Sequence, residues 1–130
     1  MADIVTLTIN PSIDTSTAVD RMAPIHKLRC APPHRDPGGG GVNVARVAVR
    51  FGADVKALCA AGGVMGELLR RLIHREGIPN RVIQVSDETR ESFTMFENAT
   101  EHEYRFVLPG PQLHEEEWAS MPRRACRPRK

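Results

Sequence analysis

The chain has 130 residues, 41 % hydrophobic and 26 % charged, with a formal net charge of +2. That is the size and balance of one modest globular domain, and it excludes a disordered or low-complexity chain. No apolar run is long enough to cross a bilayer as a helix, and the N-terminus lacks the basic-then-apolar pattern of a signal peptide, so a cytoplasmic protein without a membrane partner is expected.

Residues 4–9 (Ile-Val-Thr-Leu-Thr-Ile) are β-branched or apolar and are stopped by Asn10-Pro11, which predicts a buried strand, central in a parallel sheet. Asp14 follows closely and falls just outside the carboxyl end of that strand, where open α/β sheets place ligands. Taken alone, an Asp there is more often an Asx-turn or a cap. From residue 15 to 37 the prolines at 24, 32, 33 and 37 predict a flap of short strands standing off the main sheet, with runs at 15–19 and 27–30. On the second run Lys27 and Arg29 share one face, an alternation that usually marks a solvated surface.

The stretch Pro37-Gly38-Gly39-Gly40-Gly41-Val42-Asn43-Val44-Ala45-Arg46 organises the chain. Four glycines let the backbone turn sharply and approach a ligand, and the helix that follows points its free N–H groups back into the turn. A phosphate or a sugar hydroxyl suits such a corner, with the Asn43 carboxamide adding a donor and an acceptor. Four successive glycines are entropically costly for a mere connector, so binding outweighs a plain loop. Val44, Val47, Ala48 and Phe51 fall on one helical face and Asn43, Arg46 and Arg50 on another, with Gly52 as the stop.

Residues 55–60 read as the next strand, and Ala61-Gly62-Gly63 as the turn into a second helix carrying Met65, Leu68, Leu69 and Leu72. Glu67 and Arg71 can pair at i, i+4, and Gly77 with Pro79 ends the helix. A strand at 81–85 completes a βαβαβ unit. Residues 92–97 and 103–108 then alternate around a polar turn as an antiparallel hairpin, preceded by Arg90, whose planar fork suits a phosphate although a lone Arg is usually surface. Residues 113–118 begin an acidic first helical turn that Pro122 and a basic tail cut short. Residues 121–130 carry five of the 18 basic residues, which leaves 13 basic against 16 acidic groups in residues 1–120. The tail lacks aromatics and periodicity, so nucleic-acid binding is not expected.

Several motifs fail. Asn43 stands where GxGxxG needs its third glycine, and no GxxxxGK[ST] or GxSxG occurs. The five histidines lack metal-ligand spacing, and Cys30, Cys59 and Cys126 read as free, mostly buried thiols.

Thr6 to Asp14, Lys27-Leu28-Arg29-Cys30, the glycine stretch, Ala61-Gly62-Gly63 with Gly66-Glu67, and Tyr104 to Gly110 together resemble the ribokinase-like (PfkB-type) sugar kinases. The resemblance is closest to the minor 6-phosphofructokinase branch, because many relatives carry Lys where Gly40 stands. It implies an α/β fold, a parallel three-layer sheet core (incomplete in this chain) with a β lid, the lids of two subunits packing as a homodimer. Residues 1–118 would be the amino-terminal part of the kinase domain, with lid strands at about 15–37 and 92–108. Residues 119–130 would be an unrelated tail of the kind a shifted reading frame produces. It implies ATP-dependent phosphorylation of a sugar phosphate, with fructose 6-phosphate favoured and ATP and Mg2+ as cofactors of the complete enzyme.

By the same resemblance Asp14 bonds sugar hydroxyls, Gly39, Gly40, Gly41 and Asn43 line the sugar site, Arg90 holds the substrate phosphate, and Lys27 reaches a nucleotide phosphate across the dimer. The family's catalytic Asp and most of its ATP pocket lie in a carboxyl-terminal half with no match in this sequence, so no catalytic residue is assigned, and sugar-phosphate binding without turnover, in a loosely folded or poorly soluble chain, is expected. The alternatives are a 1-phosphofructokinase or tagatose-6-phosphate kinase fragment, and a non-catalytic binding module.

Overall fold

The computed structural model describes residues 2–125, with side chains as far as Met121; Cys126 and most of the basic tail lie outside the described residues. In chain order the elements are β1 (Ile4–Thr8), β2 (Ser12–Val19), β3 (His34–Gly38), α1 (Gly40–Arg50), β4 (Val55–Ala61), α2 (Gly63–Arg75), β5 (Asn80–Gln84), β6 (Arg90–Glu97), β7 (His102–Val107) and α3 (Glu115–Ala125). They form two sheets. The body is a parallel sheet in the order β1-β4-β5, and the lid is a mixed sheet in the order β3-β2-β6-β7, with β2 and β6 parallel. The expected βαβαβ unit is present, and so is the hairpin.

Strand β4 is buried on both sides, which sets the layers. Val55, Ala57, Cys59 and Ala61 face α1 and α2, meeting Val42, Ala45, Leu69 and Ile73. Leu58 and Ala60 point the other way and pack with Ile83, Val85 and Met121 of α3. Alternation along one strand thus feeds two apolar layers, each buried Leu or Ile contributing on the order of 1.5–3 kcal/mol.

Five expectations need correction. Strand β1 is an edge strand among the described residues, and β4 is the central one; Val5 and Leu7 of β1 stay half-exposed because nothing described covers that face. On α1 the buried stripe is Val42 and Ala45, with Val44, Val47 and Phe51 exposed. The helix is apolar on more than one side, so spacing alone fitted two neighbouring stripes. Residues 27–30 form no strand: 21–33 are irregular, since Pro24, Pro32 and Pro33 cannot donate to a ladder, and the segment is tied to β2 by the Ala31 N–H on the Ala18 carbonyl at 2.9 Å. Cys30 there is exposed, while Cys59 is buried and its thiol is pushed up to about 11 by desolvation, partly offset by the Thr8 hydroxyl.

Finally, α3 does develop, and it runs through Pro122 to Ala125. Its start explains why. Glu117 stands at the third helical position and accepts from the backbone N–H of His114 at 2.9 Å, the return bond of a capping box, and also from the Ser86 N–H at 2.7 Å. These hydrogen bonds, that from the Ser86 hydroxyl first, hold the Glu117 carboxyl below its ordinary range. A docked N-terminus and the burial of Met121, 2 % exposed, offset the proline that follows.

The lid is closed at its far end by Glu97, 5 % exposed. Its carboxylate accepts from the Thr100 hydroxyl, from the Met22 N–H at 2.7 Å and, at 3.5 Å, from the Tyr104 hydroxyl. The Thr100 bond, then the Met22 bond, keeps its carboxyl below the usual carboxylate range.

Met121→Ala is expected to cost about 2–5 kcal/mol in a denaturant titration, the usual loss for a buried Met; a loss within about 0.5 kcal/mol would mean that α3 does not seal the second layer. A carboxyl whose pKa is lowered on folding stabilises above its unfolded value, near about 4.3, and loses that contribution as pH falls through the lower folded value. The melting temperature is therefore expected to fall as pH drops below about 5. Glu97→Gln should lower it at pH 7 and flatten the acid limb; a limb of unchanged slope would show that Glu97 does not drive it.

Candidate functional site

Two chain crossings between body and lid build the site. After β1, Asn10-Pro11 turns the chain so that the lid strand β2 begins at Ser12, earlier than expected, and Asp14 lies on a strand rather than in a turn. The hairpin likewise begins at Arg90. The parallel register sets Ser12 beside Arg90 and Asp14 beside Ser92, while β3 brings Gly38 opposite Ser12. Residues 12, 14, 90 and 92 thus share one face of the lid sheet.

That face borders a cleft of about 210 Å³, which Asp14, Gly39 and Arg90 line together with Ser12, Ser92 and Arg105. Of the residues expected from the sequence, the cleft gathers these first three. Gly40, Gly41 and Asn43 form the adjoining first turn of α1 and are not part of its lining, and Lys27 lies exposed on the irregular segment between β2 and β3.

Asp14 is exposed and accepts from the Ser12 hydroxyl at 2.6 Å. A Cβ at position 38 would overlap the Asp14 carboxylate and the Ser12 hydroxyl, so Gly38 makes room for them. Arg90 donates from Nη1 to the Ser92 hydroxyl at 3.2 Å and from Nη2 to the Asn10 carbonyl at 3.4 Å, and its Nε is buried without a partner. A guanidinium has five N–H donors, so this one keeps spare capacity beside the cleft. Its place is fixed by Thr89, 3 % exposed, whose N–H bonds the Gly62 carbonyl at 3.0 Å and whose hydroxyl accepts from the Gly62 N–H at 3.1 Å.

Helices α1 and α2 treat their N-termini differently. At α2 the Glu88 carboxylate accepts from the Met65 N–H at 2.6 Å and fills the position an external anion would take. At α1 the N-cap is Gly39, with φ of 122°, no side-chain cap and no acidic residue in the first turn. The α1 terminus beside the cleft is thus the one left uncapped by a side chain. Gly41 permits this close approach, since a Cβ there would strike the Thr8 hydroxyl and sit 3.2 Å from the Leu7 carbonyl, whereas Gly40 faces open space.

Sequence reading missed Ser12, Gly38, Ser92 and Arg105. Ser92 was within reach, two residues beyond Arg90 on the same strand face. Arg105 was not, because only the register that pairs it with Thr94 brings it to the cleft; there it sits 3.8 Å from Glu103. All five histidines are exposed, and among the described residues no three His, Cys, Asp or Glu side chains cluster as a metal site.

An α/β body carries a β lid, and at the cleft beside them lie a carboxylate, two serine hydroxyls, an uncapped helix start and two arginines. The pfkB family carbohydrate kinase model matches residues 2–129, and the chain belongs to that family. It is 52 % identical over 110 residues to an ATP-dependent 6-phosphofructokinase isozyme 2 of Mycobacterium tuberculosis, covering 85 % of this chain and 32 % of that protein. It is 32 % identical over 114 residues to a tagatose-6-phosphate kinase of Staphylococcus epidermidis, covering 88 % of this chain and 37 % of the other. Among solved structures it is similar to phosphofructokinase-2 of Escherichia coli in complex with fructose-6-phosphate, with a TM-score of 0.87 and 39 % identity over 95 % of this chain and 41 % of that one. The fold is ribokinase-like. The chain spans about a third of the length of the curated relatives it matches.

Gly41→Ala is expected to cost about 1–3 kcal/mol through overpacking against Thr8, while Gly40→Ala stays within about 0.5 kcal/mol. Thermal melts of both variants check this; equal melting temperatures would mean that the turn relaxes to accept a side chain.

Proposed function

We propose that this chain forms the sugar-phosphate-binding part of an ATP-dependent kinase that converts fructose 6-phosphate to fructose 1,6-bisphosphate, a step of glycolysis. The observation that carries this reading is the meeting of Asp14, Gly39 and Arg90 at one cleft, with Arg90 Nε buried and unpartnered. The Asp14 carboxylate, acceptor-only, takes hydrogen bonds from sugar hydroxyls. The free N–H groups of the Gly39–Gly41 turn and the side-chain carboxamide of Asn43 bind further sugar oxygens. Arg90, with Arg105 nearby, holds the 6-phosphate through charge-assisted bonds and so orients the sugar, whose reactive C1 hydroxyl lies at the opposite end. Proton abstraction is not assigned to Asp14.

Carbohydrate kinases of this family use ATP, usually with a divalent metal, and the nucleotide supplies the transferred phosphoryl group when bound. In our reading the part of the cleft residues is to position the acceptor sugar. In our reading Lys27 reaches a nucleotide phosphate from the lid of a second copy. The support for such a homodimer is the apolar surface that one face of the lid exposes through Phe93, Tyr104 and Phe106. Residues 1–118 constitute the amino-terminal part of the kinase domain in this reading, and the cytoplasm is its setting; no helix among the described residues is long and apolar enough to cross a membrane.

Calorimetric titration of the 130-residue chain with fructose 6-phosphate, fructose and inorganic phosphate tests the proposal. Fructose 6-phosphate is expected to bind most tightly, and Arg90→Ala to weaken it about tenfold or more while leaving fructose unchanged. Equal affinity for fructose and fructose 6-phosphate, or an Arg90→Ala variant that binds the phosphosugar as the parent does, would overturn it.

A further inference from the structure

Arg46 of α1 is buried to the extent that its side chain is 19 % exposed, and it has three partners on three elements. Nη2 donates to the Pro37 carbonyl at 2.6 Å, on the last turnward residues of β3. Nη1 donates to Asn43 Oδ1 at 3.3 Å, one helical turn back on α1. Nε lies 3.3 Å from Oε2 of Glu76, the C-cap residue of α2, at ion-pair distance but without the alignment of a hydrogen bond. Arg50 also approaches Glu76, at 3.7 Å, but is 70 % exposed and adds little. One guanidinium therefore joins the end of a lid strand, the start of α1 and the end of α2.

We infer that Arg46 is a positioning residue for the sugar site, setting the polarity of the Asn43 carboxamide and pinning the glycine turn to α1. The inference rests on the sugar-phosphate reading of the cleft. A guanidinium only donates, so the carboxamide must turn Oδ1 toward it, which leaves both N–H bonds of Nδ2 for a ligand. Asp14 only accepts. The cleft and the α1 turn adjoining it thus offer an acceptor side chain and a donor side chain, a set that the hydroxyls of a polyol, each donor and acceptor, can satisfy. The Pro37 carbonyl immediately precedes Gly38, so its bond to Arg46 also fixes where the glycine turn departs from the lid. Lysine cannot replace this fork: a point charge on a flexible stem does not span three acceptors set around a plane.

Amide hydrogen exchange measured by NMR on the 130-residue chain provides the test, with the parent, Arg46→Lys, Arg46→Met and Glu76→Gln compared. The reporter is the Asn43 N–H, bonded to the Gly39 carbonyl at 2.9 Å, and the reference is the Ala57 N–H, bonded to the Pro79 carbonyl at 2.8 Å in the body. Arg46→Lys is expected to speed exchange at Asn43 roughly tenfold relative to Ala57. Glu76→Gln, which leaves the Pro37 and Asn43 bonds in place, should change that ratio by less than about threefold. In a parallel titration Arg46→Lys should weaken fructose 6-phosphate about tenfold while inorganic phosphate binds as before. Should Arg46→Met unfold, Arg46→Lys carries the comparison. An unchanged Asn43 ratio in Arg46→Lys, or equal weakening of the phosphosugar and of phosphate, overturns the inference. A parent chain that binds no fructose 6-phosphate overturns the sugar-phosphate reading instead, and the exchange ratio then still decides whether Arg46 holds the turn.

Discussion

The parallel pairing of β2 with β6 is the constraint on which the cleft depends. It sets Ser12 against Arg90 and Asp14 against Ser92, residues more than seventy positions apart in the chain. Parallel neighbours cannot be joined by a tight turn, and here the body supplies the crossover. The chain leaves β2, returns through β3 into α1, completes β4, α2 and β5, and only then re-enters the lid at Arg90. Any slip of one residue in that pairing would send Asp14 or Arg90 to the opposite face. The reciprocal bonds between Thr89 and Gly62 oppose such a slip, because they fix the start of β6 to the start of α2.

The electrostatics follow from the same geometry. The segment that delivers Arg90 also carries Glu88, and Glu88 occupies the start of α2. A positive helix end that faced solvent near the cleft would compete for anions; closing it with a carboxylate leaves α1 and the arginines as the places where a negative ligand is favoured. Arg46 on α1 bonds Asn43 and Pro37 and is ion-paired with Glu76, whereas Arg90, whose Nε is likewise buried without a hydrogen bond, has no carboxylate within ion-pair distance among the described residues. The two arginines are therefore different in kind: one has its counter-charge within the fold, and the other does not.

Much of this was legible in the sequence, for identifiable reasons. The glycine stretch, the β-branched first strand and the two helical spacings are local signals, and each produced its element close to where it was expected. What escaped depended on partners. The edge position of β1 and the exposure of Val44, Val47 and Phe51 are set by what covers a face, which periodicity does not encode. Helix α3 passes Pro122 because Glu117 caps it on Ser86 and Met121 finds an apolar layer, two tertiary contacts that outweigh a local breaker. In the site, motif residues near one another in the chain were found, while Arg105 needed the hairpin register. Lys27 was placed on a strand that its surrounding prolines do not allow to form.

Body and lid differ in what holds them, and this bears on how a ligand is taken up. Both buried apolar clusters belong to the body, and Ile13 is the lid-strand side chain that enters them. The lid is otherwise kept by strand pairing, by the polar ties of Thr89 to Gly62 and of Arg46 to Pro37, and by Glu97 at its far end, with every residue of β7 exposed. Elements with little buried apolar contact open at lower free energy than the core they are attached to. Asp14, Arg90 and Arg105 all sit on that lightly anchored sheet, whereas the Gly39–Gly41 turn is seated on Thr8 and Leu7 of the body. A ligand touching both sets bridges the rigid and the yielding parts, so its binding energy acts directly on the lid's position.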